Sequence, residues 1–396
     1  MSNLSTNKQT TSRWKRHAGP MLGLGIGLVV IPLLYQMGLV SIETVNMLGR
    51  YMCFAIVAIG LDLLWGYTGI LSLCQAMFFA LGGYAMGMYL AHHGGPEGMV
   101  DASGWKMPAC LYVVFPLKIG QSPADAMVPG FWKPFFSLPL TVLLGLLIPG
   151  AVAWVIGNFG FKSRVRGVYF AILTQALTVA VWLVFCMNNM KLCGTNGLTR
   201  FKTIAGYPLA TDSTKMTLYI ITLLCLVGVY YGCRTIVQSR FGRILIAIRD
   251  DENTLRFSGF RPHDYKLFVF VLAGMLAGLA GMLYAPQMGI FAPSEMEAAK
   301  SILIVIWVAV GGRGTLSGAI LGAIGVNLFY NFLTTRMPEA WPFVQGMLFI
   351  GVTLLFPGGV VGLWAQARNR IQDLRSRASM QASAATIVDT KSEVSA

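Results

Sequence analysis

About ten long apolar runs, joined mostly by short polar connections, constrain this chain more than any other feature. Their limits are near 21–40, 50–66, 71–91, 136–158, 167–187, 216–233, 267–285, 301–312, 315–333 and 342–358, two of them short. A helix needs roughly 17–25 mainly apolar residues to cross a hydrocarbon core, where every backbone N–H and C=O must be bonded within the protein. The chain is 55% hydrophobic and 12% charged, whereas an average soluble domain carries about 25% charged residues. The expected fold class is therefore all-α, a polytopic integral membrane protein with about 8–10 transmembrane helices.

The polar segments divide the chain. Residues 1–20 read as a cytoplasmic N-terminal tail, 21–366 as one transmembrane domain, and 367–396 as a disordered cytoplasmic tail poor in large apolar residues. Within the domain, 92–135 is an external insertion and 234–266 a cytoplasmic segment. The first run follows Arg13, Lys15, Arg16 and His17 but lacks a small-x-small cleavage site, which favours an uncleaved anchor over a secretory signal.

Orientation follows from the placement of Lys and Arg. With both termini cytoplasmic, the inner side holds four in the N-terminal tail, three in "FKSRVRG", seven from Arg234 to Lys266, Arg313, and five in the C-terminal tail. That is 20 of the 30 in the chain. The asymmetry explains the net charge of +14 without nucleic acid, for which no folded basic module is visible.

The chemistry that is missing narrows the function classes. No GxxxxGK[ST] phosphate loop occurs, and "GGRGTLSG" from Gly311 lacks the lysine that would reach a phosphate. His17, His92, His93 and His263 show no metal-ligand spacing, and there is no GxSxG nucleophile elbow. The expectation is a transport chain, not an enzyme, with no cofactor of its own. Asp62 is the one carboxylate inside an apolar run, whereas proton-driven pumps carry chains of ionisable groups there. The seven cysteines form no CxxC; Cys110 and Cys193 both fall on the outer side, where spacing does not establish whether they are bonded. Gly83 and Gly87, Gly274 and Gly278, and Gly318 and Gly322 are four apart, a spacing that lets helices approach closely in lipid.

Between two apolar runs lies a charged island, "GRILIAIRDDENTLRFSGFRPHDY", Gly242 to Tyr265. Ile244, Ile248 and Leu255 share one helical face, Gly259 supplies a left-handed stop, and Pro262 blocks continuation. This predicts a helix from Ile244 to Ser258 with a mixed-sign face of Arg249, Asp250, Asp251, Glu252 and Arg256 turned to water or to a partner. Loops of more than 30 residues between spans are uncommon unless functional or disordered.

Five stretches carry a resemblance: "LDLLWGYTGILSLCQAMFFALGGYAMGMYL" (Leu61 to Leu90), "RVRGVYFAILTQAL" (Arg164 to Leu177), "GTNGLTRF" (Gly194 to Phe201), "FGRILIAIRDDENTLRFSGF" (Phe241 to Phe260) and "VAVGGRGTLSGAILGA" (Val308 to Ala323). Over roughly 45–365 the chain resembles the branched-chain amino-acid type of ABC importer permease, and most of all the second permease subunit of its urea-importing branch. The resemblance implies a bacterial inner (plasma) membrane protein that works with a homologous second permease, two ABC ATPase subunits that use ATP, and a periplasmic or surface substrate-binding protein. It makes the charged island a coupling helix docked on an ATPase. Arg249, Asp250, Glu252 and Gly259 match the "IRDxE…G" pattern, while Asp251, Thr254 and Leu255 depart from it; Asn253 and Arg256 lie on the same segment.

For the cargo path the candidates are Asp62, Gln75, Thr174, Gln175, Thr195 and Asn196. Urea is small and neutral, with one carbonyl acceptor and four N–H donors, and suits uncharged donors and acceptors. Urea-type relatives share Asp62 in "LDLLWGYTG"; Cys74 and Gln75 stand where many relatives carry Gly-His. Each uncharged path candidate can equally serve as a helix-to-helix hydrogen bond. Import of branched-chain amino acids or short amides is the alternative within the class, and a stand-alone channel or secondary carrier the alternative outside it.

Overall fold

The computed structural model describes residues 26–94, 128–163 and 167–337, with scattered positions between 104 and 111 and between 339 and 362. The two tails, much of the 92–135 insertion and more than half of the 342–358 run lie outside the described residues.

A π-helical turn, Ile26–Val30, leads into α1 (Ile31–Gln36). Helix α2 (Ile42–Asp62) starts at Ser41, whose Oγ accepts from the Thr44 N–H, and runs on as a π-helical turn to Tyr67. The chain then breaks at Gly69 (φ +75°) and resumes as α3 (Gln75–Gly94). Next come α4 (Leu138–Lys162), with proline in its first turn, and α5 (Val168–Cys186). A small antiparallel pair, β1 (Thr203–Ile204) and β2 (Tyr207–Pro208), precedes α6 (Asp212–Gln238). Helices α7 (Arg240–Asp250) and α8 (Glu252–Phe257) form the charged island. The bundle closes with α9 (Pro262–Met288), α10 (Ala298–Gly311) and α11 (Leu316–Arg336).

Among the described residues six helices are long and apolar enough to span a membrane: Ile42–Tyr67, Leu138–Lys162, Val168–Cys186, Asp212–Gln238, Pro262–Met288 and Leu316–Arg336. The all-α polytopic class read from the sequence is the class observed. Most boundaries shift by a few residues, and two of the starts have a structural consequence. The second run is helical from Ile42 and not from 50, so Arg50 lies two turns inside the helix instead of before it. The third starts at Gln75 and not at 71, because residues before it bond to side chains of another helix, as described below.

Helix α3 is buried on nearly every side, and α9 crosses it glycine to glycine. A Cβ on Gly82 would strike the Gly278 backbone, and one on Gly281 would strike the Phe79 carbonyl. Gly274 and Gly278 also seat Ala153 and Pro149 of α4, and Gly318 and Gly322 seat α10. These two pairs therefore serve close helix approach, where packing and not water exclusion holds helices together. Gly83 and Gly87 instead make room for the side chains of Phe291 and Leu198, which enter from loops.

Those loops belong to one end of the bundle. Leu198 and Phe291 exchange two backbone hydrogen bonds, 2.7 and 2.8 Å. Trp132 Nε1 donates to the Lys191 carbonyl at 3.0 Å, and the Trp132 carbonyl faces His92 Nε2. Cys110 and Cys193, left open by their spacing, are disulfide-bonded, with Cα atoms 5.5 Å apart. The opposite end gathers 66–69, 239–261 and 312–315, and carries the basic residues of the island.

Candidate functional site

The charged island folds as two helices where the sequence pattern predicts one. Asp251 takes an extended conformation (φ −154°, ψ 99°) between α7 and α8 and caps the second. Its Oδ1 accepts from the N–H groups of Asn253 (2.9 Å) and Thr254 (3.3 Å), and its Oδ2 from the Thr254 hydroxyl. An aspartate at this position replaces helical bonds that the first turn of α8 would lack. The Thr254 hydroxyl, with the two backbone N–H groups, holds the Asp251 carboxyl below the usual carboxylate range. At the far end α8 stops as read from the sequence: Gly259 has φ +83° and Pro262 opens α9.

The mixed-sign face is split by these contacts. Asp250, Asp251 and Asn253 are exposed. Glu252 is turned inward, accepting from Arg256 Nη2 at 2.5 Å and from Lys266 Nζ at 2.6 Å, which ties α8 to the first turns of α9. Burial works against the Glu252 charge, but the Lys266 and Arg256 contacts outweigh it and its pKa lies below the ordinary value. Phe257, on the last turn of α8, is 92% exposed, a large apolar side chain in water that the charge pattern did not single out.

Arg249 connects the island to the bundle. Its Nη1 donates to the Gly66 carbonyl at 2.9 Å, while Nε bonds Asp250 at 3.1 Å. The same side chain lies over Gly69, where a Cβ would meet its Cγ. Gly66 in turn sits against Asp62 and Gly314, with no room for a Cβ. Asp62 is fully buried; its Oδ1 accepts from the Gly314 N–H at 2.7 Å and its Oδ2 has no partner. Beside it the Arg313 guanidinium lies over the Trp65 ring at 5.2 Å. Contacts thus run without a gap from α7 through the end of α2 to the turn between α10 and α11.

The other path candidates are spread along the bundle. Thr174 is fully buried, and its Oγ1 donates to Ala171 and accepts from the Leu73 N–H at 3.0 Å; Thr178 donates to the Leu73 carbonyl at 3.2 Å. Two hydroxyls one turn apart therefore satisfy the non-helical backbone before α3, as membrane depth demands. Gln75 is buried and Gln175 partly so, and neither amide has a partner among the described residues. Thr195 and Asn196 sit exposed at the disulfide end in a 3₁₀ turn, Gly194–Asn196. Asp62 meets the charged island; Thr195 and Asn196 lie at the far end from it.

Residues 43–353 match the family described as branched-chain amino acid transport system / permease component. The chain belongs to this permease family. Among curated proteins it is similar to the high-affinity branched-chain amino acid transport system permease protein LivM of Escherichia coli, 24% identical over 318 residues, covering 75% of this chain and 64% of that protein. It is also similar to the autoinducer 2 import system permease protein LsrC of Yersinia enterocolitica, 32% identical over 244 residues, covering 56% and 61%. The matched part is thus just under two thirds of the length of each of these relatives. No solved structure matches the chain significantly.

This permease also holds a cavity of about 320 Å³, between α2, α9, α10 and α11, that the sequence pattern did not indicate. Its polar lining includes Arg50, Glu295, Lys300, Asn327 and Asn331. Glu295 Oε2 accepts from Lys300 Nζ at 2.8 Å, and the Glu295 side chain is only 11% exposed. Asp62, the one carboxylate inside an apolar run, is thus joined by a second buried one: Glu295 sits in a 3₁₀ turn, Pro293–Met296, folded back into the bundle, although the sequence places it in an outer loop. Pro293 at the head of that turn was the local sign.

Proposed function

We propose that this chain is the membrane-spanning permease subunit of an ATP-driven importer whose most fitting cargo is urea, and that α7 and α8 are the lever through which separate ATPase subunits drive it. The observation that carries the reading is the Arg249–Gly66 hydrogen bond: it joins the charged segment to the end of a spanning helix. A displacement of a short, capped and ion-paired element can then be passed to α2 and, through Asp62 and Gly314, to α10 and α11 as a rigid-body shift. Work delivered this way needs no nucleotide site within the permease itself.

The partners in this reading are a homologous second permease, two ABC ATPase subunits, and a periplasmic or surface binding protein. The setting is a bacterial inner membrane with both termini and the charged segment cytoplasmic. Two independent features support that orientation. Lys and Arg concentrate at the island end, and the disulfide lies at the opposite end, as an oxidising exterior would allow.

Urea rests on the "LDLLWGYTG" stretch and on the uncharged side chains proposed for the path, Gln75, Thr174, Gln175, Thr195 and Asn196, with Asp62 as a gating residue. Branched-chain amino acids are the second reading, favoured by the similarity to LivM. Reconstitution of the chain with its second permease and ATPases tests the proposal: uptake should require ATP hydrolysis, and uptake by this chain without any ATPase would favour a channel or secondary carrier.

A further inference from the structure

The cavity beside α2 holds polar groups that the protein itself leaves short of partners. Arg50 lies two turns inside α2, and among the described residues its hydrogen bond goes to Met288 Sδ at 3.1 Å. A thioether is a weak acceptor for a guanidinium with five donors, and Arg50 Nε is buried with no partner among the described residues. Arg50 is half-buried, and its Nε, cut off from solvent, calls for an oxygen acceptor. The nearest acid on the cavity wall, Glu295, is engaged by Lys300, which leaves Arg50 as the lining's excess positive charge.

Acceptors for N–H groups are present on the same wall. Asn327 is 4% exposed and donates through Nδ2 to the Ala323 carbonyl at 2.7 Å, which fixes its amide oxygen as an acceptor. Glu295 bonds Lys300 through one carboxylate oxygen and keeps a second. Apolar side chains, Phe54, Val57, Leu303 and Ile304, line the rest of this partly open concavity. Convergent polar groups in a largely apolar concavity are the usual form of a small-molecule site.

We propose that this cavity is a station at which the cargo is held inside the bundle, with a carbonyl or carboxylate oxygen at Arg50 and N–H groups at Glu295 and Asn327. Urea and α-amino acids share that chemistry. The excess positive charge disfavours a bare organic cation. The inference rests on the permease reading above but concerns residues remote from the charged lever.

The test uses the full chain in membrane vesicles with its partner subunits. Leu303→Cys is introduced in a background whose free cysteines are replaced, and its reaction with a methanethiosulfonate reagent is timed with urea, with leucine, or with neither. Slowing by urea alone supports the station and assigns it to amides, and slowing by leucine alone supports it and assigns it to amino acids. No slowing by either overturns it. In a second measurement Arg50→Gln should raise the half-saturating cargo concentration about tenfold, the effect of losing one charge-assisted hydrogen bond, with Arg50→Lys intermediate. Unchanged half-saturation in a normally inserted Arg50→Gln protein also overturns the proposal. If the cavity variants change nothing while substitutions at Arg249 uncouple hydrolysis from uptake, the station fails and the permease reading stands.

Discussion

Arg249 and Gly66, 183 residues apart in sequence, are joined by a 2.9 Å hydrogen bond from guanidinium to carbonyl, which fixes the charged segment to the end of α2. Gly66 packs on Asp62 and Gly314 with no space for a side-chain carbon. The junction is therefore closely packed at Gly66, where no larger residue fits.

Arg249→Gln removes the charge and weakens the link. The expected outcome is a protein that inserts normally while uptake per ATP hydrolysed falls several-fold, with Arg249→Lys between it and the unsubstituted chain. Paired measurements of uptake and hydrolysis in reconstituted vesicles check this. Coupling ratios equal to the unsubstituted protein would remove Arg249 from the lever.

Glu252 and Lys266 tie α8 to α9, both side chains being less than a fifth exposed. Breaking the pair with Glu252→Lys should destabilise the segment by about 1 kcal/mol or more, with proteolysis near residue 253 as the readout. The exchange Glu252→Lys with Lys266→Glu should restore protection. The Glu252 pKa is depressed on folding, so its contribution is fully present above the ordinary value of 4.5 and is lost only as pH falls through the lower folded value. Protection of the segment should accordingly be flat from pH 6 to 8.

Asp62 pins the turn between α10 and α11 through Oδ1. Asp62→Asn keeps an acceptor oxygen and should keep expression and insertion; Asp62→Ala leaves the half-buried Gly314 N–H without this acceptor and should cost about 1–3 kcal/mol. Thermal unfolding in detergent separates the two. Equal stability of the two variants would mean that the bond does not hold the turn.

The Cys110–Cys193 bond closes a separation of 83 residues. Loop-closure entropy sets its worth at up to about 4 kcal/mol. Cys193→Ser should lower the unfolding temperature of the disulfide end, and a thiol-reactive polymer should shift the mobility of the unsubstituted chain at these positions only after reduction.

What the sequence made legible is the chemistry that acts locally. The span at Leu138–Lys162 and the stop at Gly259 ahead of Pro262 follow from hydrophobic runs and from backbone conformations that only certain residues adopt. Asp251 was within reach too: an aspartate two and three residues before Asn253 and Thr254 is an N-cap pattern, but the apolar face running from Ile244 to Leu255 concealed the break. The start of α3 was not legible, because hydroxyls of Thr174 and Thr178, a hundred residues away, bond the backbone of Leu73. The cavity was hidden for the same reason. Arg50, Glu295 and Asn327 come from three separate stretches, and only the packing of α2, α11 and the 3₁₀ turn before α10 brings them to one space.

The claim that a partner motor drives this bundle through α7 and α8 requires that segment to face the cytoplasm. Asn253 is exposed at the start of α8 and serves as the reporter: Asn253→Cys, in a background without other free cysteines, reacts with a membrane-impermeant maleimide. The account predicts labelling in inside-out vesicles and none in intact cells. Labelling of intact cells would place the lever outside, beyond the reach of any ATPase, and would contradict it.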